Sequence, residues 1–198
     1  MRPKTLLVVA ALAIAVLVTA PKSFAQNLLS NGSFETGDFT GWTTGGNFED
    51  TEVVSGPFGE YSGAEDGQFY AVLGPVGSDG TLSQTFSDTA GGHLTFSFWF
   101  AANGDNPSDF SASWDGTQLL ALTNPTTNGA WTQYSYNVTG TGTDTISFAF
   151  RDDPAYMALD NVSVSASGGG TTPEPSSFLL LGSGVLAVGG VVRRKLSR

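Results

Sequence analysis

The side chains that could support catalysis are few and poorly placed for it. The chain has one histidine, His93, and no cysteine, so thiol chemistry is excluded and nothing frames a histidine-based triad. Carboxylates are adjacent in sequence at 49–50, 65–66 and 152–153. Glycoside hydrolysis needs two acids at a fixed separation, whereas neighbours on a strand point to opposite faces. We therefore expect the chain not to be an enzyme.

Three aromatic residues offer a different chemistry, the stacking of sugar rings. Trp99 and Trp114 lie in stretches that alternate between apolar and polar residues, and Tyr61 lies in a polar loop. We take these three as candidate ligand-binding platforms, because aromatic faces pack against the apolar faces of sugars. The alternative is that each belongs to the core, since sandwich interiors also use large side chains.

Charge narrows the class of ligand. Of the 18 acidic residues only Glu174 lies in the C-terminal tail, and of the 8 basic residues only Arg151 lies outside the two ends. The region between the ends therefore carries 17 acids and one base, a net charge of about −16. Such a field disfavours nucleic acid and anionic membranes as partners. Cations, neutral polymers and other proteins remain possible, and the acidity alone would also keep an exported domain soluble.

The elements that must position these residues are short β-strands. Glycine and proline clusters recur at short intervals, and long helical periodicity is missing. Residues 26–166 are thus predicted to form an all-β jelly-roll β-sandwich. Phe96, Phe98 and Phe100 should point inward together with Phe148. The predicted strands are 27–36, 49–54, 68–73, 81–87, 94–101, 110–114, 117–122, 134–138, 145–150 and 156–166.

The N-terminus has the features of a secretion signal. Arg2 and Lys4 precede the apolar run 5–20, and Ser23-Phe24-Ala25 fits a small-x-small cleavage site. Residues 1–25 are therefore predicted to be a signal peptide that is cut after Ala25. The alternative is an uncleaved anchor helix, because the run is only slightly short of the roughly 20 residues that span a bilayer.

The C-terminus has a second apolar segment. After a glycine-rich linker at 167–172, Pro173-Glu174-Pro175 precedes an apolar run, 178–192, and then Arg193-Arg194-Lys195. The run is predicted to be a hydrophobic helix that enters the inner membrane, with the basic cluster on the cytoplasmic side.

This tail, residues 173–198, resembles the PEP-CTERM sorting signals of Gram-negative bacteria. The resemblance rests on Pro173-Glu174-Pro175, the short glycine-containing apolar run and Arg193-Arg194-Lys195. It implies that an exosortase cuts near the Pro-Glu-Pro and releases the protein from a transient inner-membrane anchor to the cell surface or extracellular matrix. A permanent single-helix anchor is the alternative.

A second resemblance concerns the two edges of the domain. The run 27–35 (NLLSNGSFE), followed by Gly41-Trp42, and the run 158–164 (ALDNVSV) look like the first and last strands of galactose-binding-like jelly rolls, the fold of many carbohydrate-binding modules. The resemblance implies that Glu35 and Asp160 ligate a structural calcium ion (Ca2+), which prefers oxygen ligands. The alternative is that both are ordinary strand-end acids.

Two hypotheses for function follow. The first is a non-catalytic carbohydrate-binding module for extracellular polysaccharide, because the resemblance is to sugar binders. The second is a structural protein of the matrix or biofilm without a defined small ligand. An exposed row of aromatic residues beside polar side chains would favour the first, and a closed, smooth acidic surface would favour the second.

Overall fold

The computed structural model describes residues 26–167, and these residues form ten short strands separated by turns. The glycine and proline clusters noted in the sequence interrupt the chain too often for long elements. The strands are β1 Thr43–Gly46, β2 Thr51–Ser55, β3 Phe69–Leu73, β4 Gly80–Ser87, β5 His93–Ala101, β6 Ser108–Trp114, β7 Thr117–Thr123, β8 Thr132–Thr139, β9 Thr143–Asp152 and β10 Met157–Ala166.

The ten strands form two five-stranded antiparallel sheets. Sheet A has the strand order β1-β4-β9-β6-β7, and sheet B has the order β2-β3-β10-β5-β8. Most neighbours within a sheet are distant in sequence, because the chain crosses repeatedly from one sheet to the other. The predicted all-β jelly-roll sandwich is confirmed.

Inward-facing side chains of both sheets form the main core. Phe96, Phe98 and Phe100 alternate along β5 and are fully buried, as is Phe148 on β9. The rings of Phe98 and Phe148 meet edge to face with centroids 5.1 Å apart. The prediction that these four residues share one interior is confirmed.

A second, smaller apolar cluster lies on the outer face of sheet B. Tyr70 and Val72 alternate with core-facing residues of β3, so their side chains point away from the main core. They are nevertheless fully buried, because the segment 56–66 covers them. We call this the outer cluster; its buried members are Tyr61, Tyr70, Val72, Ala101 and Ala158.

The segment 27–36 is not a strand, contrary to the prediction. Its backbone turns at Asn31 and Phe34, which have positive φ angles of 50° and 54°. The segment instead follows β10 through isolated hydrogen bonds, from Leu28 N to Val164 O and from Val162 N to Gly32 O. Leu29 and Phe34 are buried singly along this turning segment rather than along one face of a strand, and the short strand β1 was missed.

Several predicted segments lie outside the described residues. These are the signal peptide at 1–25, the linker beyond residue 167, and the sorting segment at 173–198 with its hydrophobic helix. Their boundaries stay predictions. Between residues 26 and 167, no helix is long and apolar enough to cross a membrane.

Candidate functional site

Trp99 lies on the outer face of sheet B, on β5, which is paired on both sides, with β10 and β8. On β5 it alternates with Phe98 and Phe100, so burial of the phenylalanines turns the indole outward. Its cross-strand neighbours are Asp160 on β10 and Gln133 on β8. The ring is partly exposed and belongs to neither apolar cluster.

Polar side chains continue this face away from the outer cluster. One row across the sheet contains Ser163, Ser97 and Ser135, and the next contains Ser165, Thr95 and Asn137. Together with Trp99 and Gln133 we call these residues the Trp99 face. The hydroxyls of Ser97 and Ser163 lie 3.3 Å apart. The face thus combines one aromatic ring with hydroxyl and amide groups that both donate and accept hydrogen bonds.

The segment 56–66 borders the Trp99 face and is held firmly against sheet B. Trp131 donates its indole N–H to Gly63 O at 3.1 Å, and the backbone N–H groups of Glu65 and Asp66 donate to Asp160 Oδ2 at 2.8 and 3.0 Å. Because these contacts bury the neighbouring apolar surface, Trp99 stands at the edge of a covered region rather than inside it.

Two of the three predicted aromatic platforms are not exposed. Trp114 is 6% exposed in the main core, where its ring packs edge to face against Phe86. Tyr61 is 3% exposed in the outer cluster, and its hydroxyl donates a hydrogen bond to Tyr156 O. The prediction of exposure is therefore wrong for both. Trp114 shares the inward face of β6 with Phe110 and Ala112, and Tyr61 is covered by its own loop.

The other members of the Trp99 face were not singled out from the sequence. Gln133 and Asn137 occupy alternate positions of β8, so their outward direction was readable. The sequence could not show that β8 and β10 flank β5, because the paired residues are 32 or more positions apart in the chain.

Glu35 and Asp160 lie on either side of the same backbone segment. Glu35 Oε1 accepts hydrogen bonds from the N–H groups of Gln68 and Phe69 at 2.8 and 2.9 Å. Asp160, which is fully buried, accepts from Glu65 and Asp66 and also from Asn161 N at 2.6 Å. Burial raises the pKa of Asp160 to about 7, although these amide donors oppose the rise.

The implied calcium fits this pair chemically, but only in part. Both residues supply carboxylate oxygens, which calcium prefers, and Gly67 leaves room beside Glu35 where a Cβ atom would collide with the carboxylate. Glu35 Oε1 and Asp160 Oδ2, however, already take two amide donors each, and Asp160 Oδ1 takes one, from Asn161 N. No cluster of three or more acidic, histidine or cysteine side chains arranged for a metal occurs within residues 26–167. If calcium binds, Glu35 Oε2, Asp160 Oδ1 and backbone carbonyls would have to hold it.

His93 is far from these groups in the fold. It is exposed at the start of β5 and borders a pocket of about 470 Å³ that Leu28, Leu94 and Asp88 also line. Asp88 is the nearest acid in this lining, and the pocket contains no aromatic ring. The arrangement supplies no activated nucleophile.

Comparison with known proteins bears on both parts of the chain. A PEP-CTERM protein-sorting motif matches residues 171–195. No curated protein matches the sequence. For the fold, TmCBM61, solved in complex with beta-1,4-galactotriose, has a TM-score of 0.58 and 20% identity, covering 72% of this chain and 100% of that chain.

Two further solved structures have similar folds. The CBM22-1 xylan-binding domain from Paenibacillus barcinonensis has a TM-score of 0.52 and 19% identity, covering 73% of this chain and 97% of that chain. A cleaved adhesin domain of Lys-gingipain from Porphyromonas gingivalis has a TM-score of 0.50 and 19% identity, covering 66% and 96%. The chain thus has a jelly-roll β-sandwich of the kind found in carbohydrate-binding modules, followed in sequence by a PEP-CTERM protein-sorting motif.

Proposed function

We propose that this exported protein binds neutral extracellular polysaccharide, without catalysis, through the Trp99 face. The observation that carries the proposal is the environment of Trp99 among the four tryptophans. Trp42 and Trp114 are buried, and Trp131 packs against the outer cluster. Trp99 joins neither cluster, and no described residue accepts a hydrogen bond from its indole N–H.

The surroundings of Trp99 suit a neutral sugar. A pyranose has an apolar face that stacks on an indole and hydroxyls that need both donors and acceptors. Gln133 and Asn137 supply both, and the serine hydroxyls of the adjacent row adapt to either role. The domain's net charge of about −16 disfavours anionic polymers. The binders of galactotriose and xylan that share the fold support the same class of ligand.

The sorting motif supports a location outside the cell for the proposed binding. A PEP-CTERM motif marks an exported protein that is anchored transiently, and we infer that exosortase processing leaves the sandwich at the cell surface or in the extracellular matrix. Intact-mass measurement of the surface-released form should show that residues 1–25 and 178–198 are absent. A released form that retains either segment would contradict this processing.

Affinity electrophoresis of the full chain through gels that contain neutral galactan, xylan or glucan tests the binding. Trp99→Ala should weaken binding at least about tenfold, because it removes the stacking surface, and Trp99→Phe should weaken it less. Gln133→Ala should cost a few-fold. Gln118→Ala is the matched control, since Gln118 is equally exposed on β7 of sheet A, and it should change nothing.

The structural-matrix hypothesis is the other outcome of this experiment. It is favoured by the outer face of sheet A, where the outward positions of β4, β6 and β9 hold mostly small residues, together with the charged pair Asp109 and Arg151, and no aromatic ring. If no neutral polysaccharide retards the protein, or if Trp99→Ala binds as well as the natural sequence does, the binding proposal is wrong.

The proposal includes a structural calcium ion at Glu35 and Asp160. A ligand that binds only the folded state stabilises it by RT ln(1 + [L]/Kd), about 2.7 kcal/mol at a hundredfold excess over Kd. The melting temperature should therefore fall in chelator and recover with calcium, and Glu35→Gln and Asp160→Asn should each reduce that recovery. Equal reductions by Glu49→Gln, an exposed acid, would show that the effect is only general screening.

A further inference from the structure

A second buried aspartate, Asp152, has no hydrogen-bond partner among the described residues. It is the last residue of β9 and lies on the same face as Phe148 and Phe150, so its side chain points toward the space between the sheets. It is 1% exposed, and its Oδ1 atom is buried without a donor. An ionised carboxylate in this state is costly unless a positive charge or a donor reaches it.

The loop between β5 and β6 brings two more unpaired oxygens to this end of the sandwich. Asp105 Oδ2 and Asn103 Oδ1 are both buried and accept no hydrogen bond. The loop is tied to the end of β9, because Ser108 pairs with Asp152 across the sheet and donates its hydroxyl to Asp105 O at 2.7 Å. Asp153 N also donates to Pro107 O at 3.0 Å.

Negative charge exceeds positive charge at this end of the sandwich. Burial, followed by the charges of Asp105 and Asp153, raises the pKa of Asp152 to about 7. Arg151 is the one basic residue between the two ends of the chain, and its guanidinium already lies near Asp109 at 3.3 Å and Asp153 at 3.8 Å. It alternates with Asp152 along β9, so it faces the opposite side of sheet A. No other described side chain can neutralise Asp152.

We propose that Asn103, Asp105 and Asp152 bind a divalent cation of the calcium type at the end of the sandwich. Three unpaired oxygens, two of them from carboxylates, match a hard cation that takes six to eight oxygen ligands. Backbone carbonyls of the loop and water must complete the shell, since the side chains supply only three ligands. The ion would fasten the loop between β5 and β6 to β9.

This site is separate from Glu35 and Asp160. Asp160 points to the outer face of sheet B and holds residues 65 and 66, whereas Asp152 points inward from sheet A. The two sites also differ in their partners, since the Asp160 carboxylate is already satisfied by amide donors and the Asp152 carboxylate is not. The inference does not depend on carbohydrate binding.

Calcium titration of the full chain by calorimetry, together with thermal melts, tests the proposal. In the Glu35→Gln variant, which removes a ligand of the other site, millimolar calcium should still raise the melting temperature by about 5 °C and bind with a stoichiometry near one. Adding Asp152→Asn or Asp105→Asn to that variant should abolish both effects. Asp79→Asn, which changes an exposed acid, is the matched control and should leave both intact.

Two results would overturn the site. One is an unchanged calcium stoichiometry and melting shift in both the Asp152→Asn and Asp105→Asn variants. The other is the absence of any calcium effect in the Glu35→Gln variant. If Asp152→Asn fails to fold, Asp105→Asn decides, because Asp105 lies on a loop and is only partly buried.

Discussion

Sheets A and B follow one rule on their inner faces and differ on their outer faces. Both turn phenylalanines inward at alternate positions, as on β5 and β9. The outer face of sheet A carries small residues at alternate positions of β4, β6 and β9, such as Ser83, Ser111 and Ser147. Sheet B instead carries the outer cluster and Trp99. The outer cluster is covered by the segment 56–66, so Trp99 is the part of this face that requires a separate explanation, and the proposed ligand binding would supply one.

Two buried carboxylates, one from each sheet, differ in their partners. Asp160 of sheet B accepts three amide hydrogen bonds, whereas the buried Oδ1 atom of Asp152 of sheet A accepts none. Asp144, which is also on β9 of sheet A, is buried too, but it accepts hydrogen bonds from Thr141. A buried charge needs either donors or a counter-ion, and of these three carboxylates Asp152 is the one that lacks a donor.

The largest change in stability is expected on β5, where substitutions on the two faces of the strand should differ. Phe98→Ala should lower the free energy of unfolding by about 3–5 kcal/mol, because it opens a cavity among Phe110, Phe148 and Tyr134. Trp99→Ala, one residue along, should cost under about 1 kcal/mol. Urea melts of both variants measure the difference. Equal costs would show that Trp99 is packed as a core residue, which would remove the basis of the binding proposal.

A smaller effect is expected in the outer cluster. Tyr61→Phe removes the hydroxyl that bonds to Tyr156 O and leaves that carbonyl without this donor, which should cost about 1–2 kcal/mol. Tyr136→Phe is the matched control, because no described residue pairs with the Tyr136 hydroxyl, and its cost should be near zero. Hydrogen exchange should also rise within 56–66 in the first variant only. If the exchange does not change, the segment is held by other contacts.

The smallest change in stability is expected where three carboxylates lie close together at one end of sheet A. Burial raises the pKa of Asp115, and so does the neighbouring carboxylate of Asp144, which Asp88 also approaches. Asp115→Asn keeps the oxygen that accepts from Thr145 N at 2.7 Å and removes one negative charge. It should therefore stabilise the protein by less than about 1 kcal/mol, and less at high salt. A destabilised variant in a low-salt melt would contradict the predicted repulsion.

Part of the candidate site could be predicted from alternation alone. Trp99 occupies an outward position between Phe98 and Phe100, and this is visible in the sequence. The same pattern placed Trp114 in line with Phe110 and Ala112, so its burial was predictable although exposure was proposed. The burial of Tyr61 was not predictable, because it depends on a loop that folds onto Tyr70 and Val72 of a later strand.

By itself, the sequence determined the class of the protein: short strands with a period of two, an acidic exported domain, and a terminal sorting motif. These features depend on residues that are close together in the chain. Only the tertiary structure decided which strands are neighbours, and so which polar groups lie beside Trp99 and which loop is joined to the end of β9 at Asp152. Strand order is set by contacts between residues far apart in the chain, and local periodicity carries no record of them.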